Sequence, residues 1–148
     1  MVALAMPTLE AVLMAALSVF VGANKLTPRI IPDFHEELAM QMERFADAPW
    51  GFLGLSGDQL MAAVGAAECA LGALSLVAPR NVRLVCYGLL ATIFAAAIFT
   101  HLVNKDNSYP PAVVMFLAAV ACMVQVSKEG TQPPPDETKD AKAAKKAK

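Results

Sequence analysis

The sequence is short of the residues that most chemistry requires. It has no Cys-x-x-Cys, no cluster of histidines and no glycine-rich phosphate loop, which removes the usual redox, metal and nucleotide motifs. Only 17% of the residues are charged, 12 basic against 13 acidic, and no basic stretch is interleaved with aromatics, so nucleic acid is not an expected partner. The three cysteines, Cys69, Cys86 and Cys122, lie in three different apolar segments and their number is odd. That does not support a disulfide framework, and they read as small apolar fillers, a redox role being the alternative if two of them approach across helices. No catalytic, cofactor or metal residues are expected.

Apolar residues are abundant instead. They make up 57% of 148 residues, with a mean hydropathy of +0.50, more than a water-soluble domain of this size can bury. The expected fold is an all-α, four-helix transmembrane bundle spanning residues 1–127, with spans at about 8–24, 59–78, 82–103 and 111–127. The first apolar run lacks the positive stretch of a cleaved secretory signal and reads as a retained span, with Pro7 and Glu10 suited to its first turn. Between the first two spans Asp33 and Glu36 form a plausible capping pair after Pro32 and open an amphipathic surface helix over about 33–46. Phe34, Leu38, Met42 and Phe45 share one face of that helix. It reads as a lid over the bundle mouth, with a docking platform involving Arg29 as the alternative. Residues 128–148, rich in lysine and proline, cannot bury apolar area and are expected to be disordered.

The most informative stretch is Gly65-Ala66-Ala67-Glu68-Cys69-Ala70-Leu71-Gly72, because Glu68 is the one ionisable residue of the second span and falls near its midplane. Exposing it to lipid would cost about 2.5–3.5 kcal/mol, so it must face protein. Gly65 and Gly72 share its side of the helix and suit close helix packing. Glu68 reads either as a docking centre for a client helix or small molecule, or as a carboxyl that holds the helices together. Lys25 and His101 lie near the ends of the first and third spans, on the membrane side opposite the termini. Lys25 is expected to snorkel toward headgroups, with inward bending as the alternative. A helical rise of 1.5 Å per residue offsets His101 from Glu68 by roughly 10 Å, so their direct pairing is not expected. Together Lys25, Glu68 and His101 suggest one polar pocket open to that side.

Basic residues are split eight to four in favour of the side holding both termini, which places the termini in the cytoplasm. Lys145 and Lys146, fourth and third from the end of the sequence, match a dilysine retrieval address of the endoplasmic reticulum; chance in a lysine-rich tail is the alternative.

The run Gly22-Ala23-Asn24-Lys25-Leu26-Thr27-Pro28-Arg29, followed by Gly65-x-x-Glu68-x-x-x-Gly72, Pro79 and His101, resembles the DoxX-like superfamily, and within it the NACHO family of nicotinic acetylcholine receptor chaperones. The resemblance covers about residues 9–126. It implies a membrane-protein assembly factor or chaperone of the endoplasmic reticulum that binds transmembrane segments of client oligomers. Other DoxX-like proteins imply a quinone-linked oxidoreductase subunit instead, and a structural subunit of a membrane complex is a third reading. The partners expected are the lipid bilayer and other membrane proteins, with a homo-oligomer of the chain as a further option.

Overall fold

The computed structural model describes residues 8–129. Within them the chain forms five α-helices: α1 (Leu9–Leu26), α2 (Pro32–Asp47), α3 (Gly57–Val77), α4 (Arg80–Val103) and α5 (Pro110–Lys128), with a short 3-10 turn at Trp50–Leu53. Four of them, α1, α3, α4 and α5, are long and apolar enough to cross a membrane. The helical bundle expected from the sequence is therefore present. Residues 1–7, including Pro7, and the tail from Gly130, including Lys145 and Lys146, lie outside the described residues.

Two of the helices begin at a side chain that satisfies a free backbone N–H group. Thr8 caps α1 by accepting from the Ala11 N–H, and Ser56 caps α3 in a reciprocal box with Gln59. Helix α2 differs in detail from the expectation. It starts one residue earlier with Pro32 in its first turn, and Asp33 sits inside that turn without capping it. Proline supplies the helical φ and has no N–H to satisfy, so no side-chain cap is needed.

The most extensive interface is between antiparallel α1 and α3. Glycine makes it possible. A Cβ on Gly22 would lie 2.6 Å from the Gly65 carbonyl oxygen, and one on Gly65 would lie 2.8 Å from both the Gly22 oxygen and Lys25 Cβ. Two turns further along α3, Gly72 faces Ser18 and Ala15. Backbones brought this close gain dispersion contact along their whole length, the main source of attraction between helices in lipid. Helices α4 and α5 form a second close pair around a core of Tyr87, Leu90, Phe94, Met115, Ala119 and Cys122. At the end of the bundle nearest the termini, Arg80 donates to the Val126 and Ser127 carbonyls at 2.9 and 2.7 Å, and Arg83 pairs with Glu129. Two basic residues of the orientation bias thus also close the C-terminal end of α5.

Helix α2 does not join the four apolar helices. It packs across α3 at the opposite end, where Leu38, Met42 and Phe45 bury against Met61. Gly57 lets the two backbones touch, since a Cβ there would lie 2.7 Å from Glu43 Cα. Asn24 sets the direction of the turn into α2. Buried completely, it donates to the Phe20 carbonyl at 2.8 Å and accepts from the Ile31 N–H at 3.2 Å, while its own carbonyl meets His35 Nδ1 at 2.5 Å. The chain just after α2 is tied to α4 by Trp50 Nε1, which donates to Thr100 Oγ1 at 2.8 Å, and by Asn104 Nδ2, which donates to the Ala48 carbonyl at 2.9 Å.

Candidate functional site

Lys25 and Glu68 meet inside the bundle. The Lys25 Nζ lies 2.7 and 2.6 Å from the two carboxylate oxygens of Glu68, and the side chains are 6% and 2% exposed. The direction of the Cα–Cβ bond explains why residues 43 positions apart find each other. Every side chain leans toward the N-terminus of its own helix, and α1 and α3 run in opposite directions. Lys25 therefore leans into the bundle from near the end of α1, and Glu68 leans back toward it. The expectation that Lys25 snorkels outward fails for this reason: its Cβ points away from the nearer surface.

Taking an ammonium and a carboxylate out of water costs several kcal/mol per ion, and only close geometry offsets it. Here one ammonium bonds both carboxylate oxygens, the compact arrangement that makes charge-assisted bonds strong. Gly65 contributes directly, because its missing side chain leaves room for the Lys25 stem.

The pair forms part of the wall between two cavities. The smaller, about 250 Å³, lies between α3 and α4 beneath Trp50 and is lined by Leu60, Val64, Ile93, Ala96 and Ala97. The larger, about 480 Å³, lies under α2 and reaches His101, Asn107, Ser108 and the start of α5. Lys25, Glu68, Met42 and Phe45 line both. Lys25, Glu68 and His101 thus share one cavity, but only the first two touch. His101 instead places Nδ1 2.6 Å from Asp106 Oδ1 and presents its ring edge-on to Phe45, 5.1 Å between centroids. Partial burial pushes the Asp106 carboxyl up, but the Ser108 N–H and the His101 contact outweigh it and hold it below the usual carboxylate range.

Arg29 does not join this group. It is exposed in the turn after α1, with its backbone N–H 3.3 Å from Thr27 Oγ1. Gly65 and Gly72 lie in the α1–α3 interface. Sequence reasoning missed Asn24, Trp50, Thr100 and Asp106. Asn24 stood inside the quoted Gly22–Arg29 run and Trp50 is the sole tryptophan of the chain, so both carried a signal. The Asp106 signal was only its place five residues after His101 in a turn.

Among the described residues no three of His, Cys, Asp and Glu gather as metal ligands would, and the three thiols are unpaired. The site presents a hydrogen-bonded ion pair that lines two cavities, beside buried polar groups such as Thr100 and His101. Comparison with models of known protein families and with characterised proteins finds no match to this sequence.

Proposed function

We propose that this chain is a DoxX-like, NACHO-related assembly factor of the endoplasmic reticulum membrane, without catalytic activity, that holds transmembrane segments of immature partner oligomers. Both termini face the cytoplasm, and α2 faces the lumen. The observation that carries this reading is the Lys25–Glu68 pair beside the cavity between α3 and α4. Unassembled spans carry polar side chains whose proper partners arrive only in the finished oligomer, and such groups are costly in lipid. A preformed ion pair next to an apolar cleft gives such a side chain a temporary hydrogen-bond partner while the surrounding span rests on apolar helix surface. The pair neutralises itself when no client is present, so neither of its two ions is left uncompensated.

The test is to purify the tagged chain from native membranes in mild detergent, with and without crosslinking, and to identify copurifying proteins and extracted lipids. Immature subunits of another membrane protein, captured mainly after crosslinking and lost from its mature form, are the expected result. A single fixed stoichiometric partner would make the chain a structural subunit. Stoichiometric quinone would make it part of an electron-transfer system.

A further inference from the structure

The larger cavity has features that the Lys25–Glu68 pair does not use. Three phenylalanines from two helices line it, Phe34 and Phe45 of α2 and Phe94 of α4. Two carboxylates line it, Glu37 and Glu68, against one ammonium, and that ammonium is already bonded by both oxygens of Glu68. His101 is backed by Asp106, so the charge of the lining and its direct partners is negative in either charge state of the imidazole. The volume of about 480 Å³ falls within the range of small-molecule sites, and Ala97 and Met115 continue the lining as an apolar wall.

We propose that this cavity binds an ammonium group carried on an apolar body. The cation sits among the phenylalanine faces and against Glu37, where ring quadrupoles and a carboxylate both attract it. The apolar body lies along Ala97 and Met115. An anion would meet Glu37 and Glu68 and would find Lys25 already paired. A purely apolar ligand would gain nothing from the Glu37 carboxylate, which lines the cavity and accepts from the Gln41 amide at 3.4 Å. The same chemistry is carried by a free amphiphilic amine and by the choline or ethanolamine headgroup of a phospholipid. This inference stands apart from the assembly reading, because binding is measured with no client present.

Trp50 is the only tryptophan and lies in the neighbouring cavity, which shares Phe45 and Met42 with this one, so its emission reports occupancy. The full chain in maltoside micelles is titrated with decyltrimethylammonium, decyl sulfate and decanol, each below its own micelle threshold. The cation is expected to give a saturable change at least tenfold tighter than the anion, tenfold being the effect of about 1.4 kcal/mol. Glu37→Gln and Phe34→Leu should each weaken it by about three- to fivefold, the size of one partly exposed charge or cation–ring contact. Glu37 is exposed on α2, and Phe34 is half-buried at the edge of the Leu38–Met42–Phe45–Met61 cluster, where leucine keeps the apolar contact, so parent-like melting of both variants is the control for a retained fold. Equal binding of anion or alcohol, or variants that leave the cation's affinity unchanged, overturns the proposal. In bilayer discs of mixed phosphatidylcholine and phosphatidylglycerol, native mass spectrometry then assigns the source. Retained phosphatidylcholine displaced by decyltrimethylammonium indicates a lipid headgroup, and no retained lipid indicates a free amine. Retained phosphatidylglycerol overturns the proposal.

Discussion

Removing Lys25 tests the buried pair most directly. In Lys25→Met the stem volume is kept and the ammonium is lost, leaving the Glu68 carboxylate, 2% exposed, with no counter-charge. Breaking a buried ion pair from one side costs about 3–5 kcal/mol. The carboxyl has one escape, which is to take a proton. For an ordinary carboxyl at pH 7 that costs about 3.7 kcal/mol, which sets a ceiling on the damage, and at pH 5 only about 1 kcal/mol. The folded variant then holds one more proton than its unfolded chain, so its stability falls as pH rises from 5 to 7. At roughly 2–4 °C per kcal/mol for a chain of this size, the Tm should drop by about 6–15 °C at pH 7 and by only about 2–4 °C at pH 5, each relative to the parent at the same pH. Glu68→Gln should cost less, because Lys25 stands one residue from the end of α1 and its released arm can reach the headgroups. In Lys25→Met/Glu68→Gln both charges are gone, and the loss should be smaller than the sum of the two single losses. Thermal unfolding in one detergent, followed by near-ultraviolet circular dichroism at both pH values, measures all of this. Equal losses at pH 5 and pH 7, or single losses that simply add, would refute the reasoning.

Gly22→Ala should destabilise by about 1–3 kcal/mol, since its Cβ would meet backbone that cannot step aside, whereas Gly88→Ala on α4 meets nothing within 4 Å and should be neutral or slightly stabilising; chemical or thermal melts of both compare them. The low-lying Asp106 carboxyl contributes stability that is complete above the ordinary aspartate value and is lost as pH falls through its depressed one. Asp106→Asn should therefore flatten the acid limb of the stability–pH curve, as read by melting between pH 3 and 7; an unchanged limb would show that the Ser108 and His101 contacts to the carboxylate add nothing.

The four apolar helices were legible in the sequence because hydropathy over 18 or more residues is a local property, and α2 was legible because Phe34, Leu38, Met42 and Phe45 repeat at helical spacing. Glu68 stood out for the same reason: one carboxyl in a long apolar run needs an explanation. Its partner was not legible. Lys25 lies near a helix end, where the general habit of lysine is to reach outward, and only the relative direction of α1 and α3 turns it inward. The turn contacts were hidden for a related reason. Asn24 with Ile31 and His35, Trp50 with Thr100, and Asn104 with Ala48 depend on where α2 comes to rest, and that is decided by packing on α3 and not by any repeating pattern.

The Lys25–Glu68 pair also bears on the order in which the chain can be built. Lys25 emerges with the first apolar helix, and its counter-charge follows 43 residues later, after α2, in the next one. Until then the ammonium lacks the buried partner that it has in the folded chain. Arrival of the second apolar helix removes the charge and brings Gly22 against Gly65 in the same step. A slip of one helical turn, about 5.4 Å, would separate the ions and press side chains into the glycine faces. The pair is thus a register check on the first hairpin across the membrane, applied before α4 and α5 have been made.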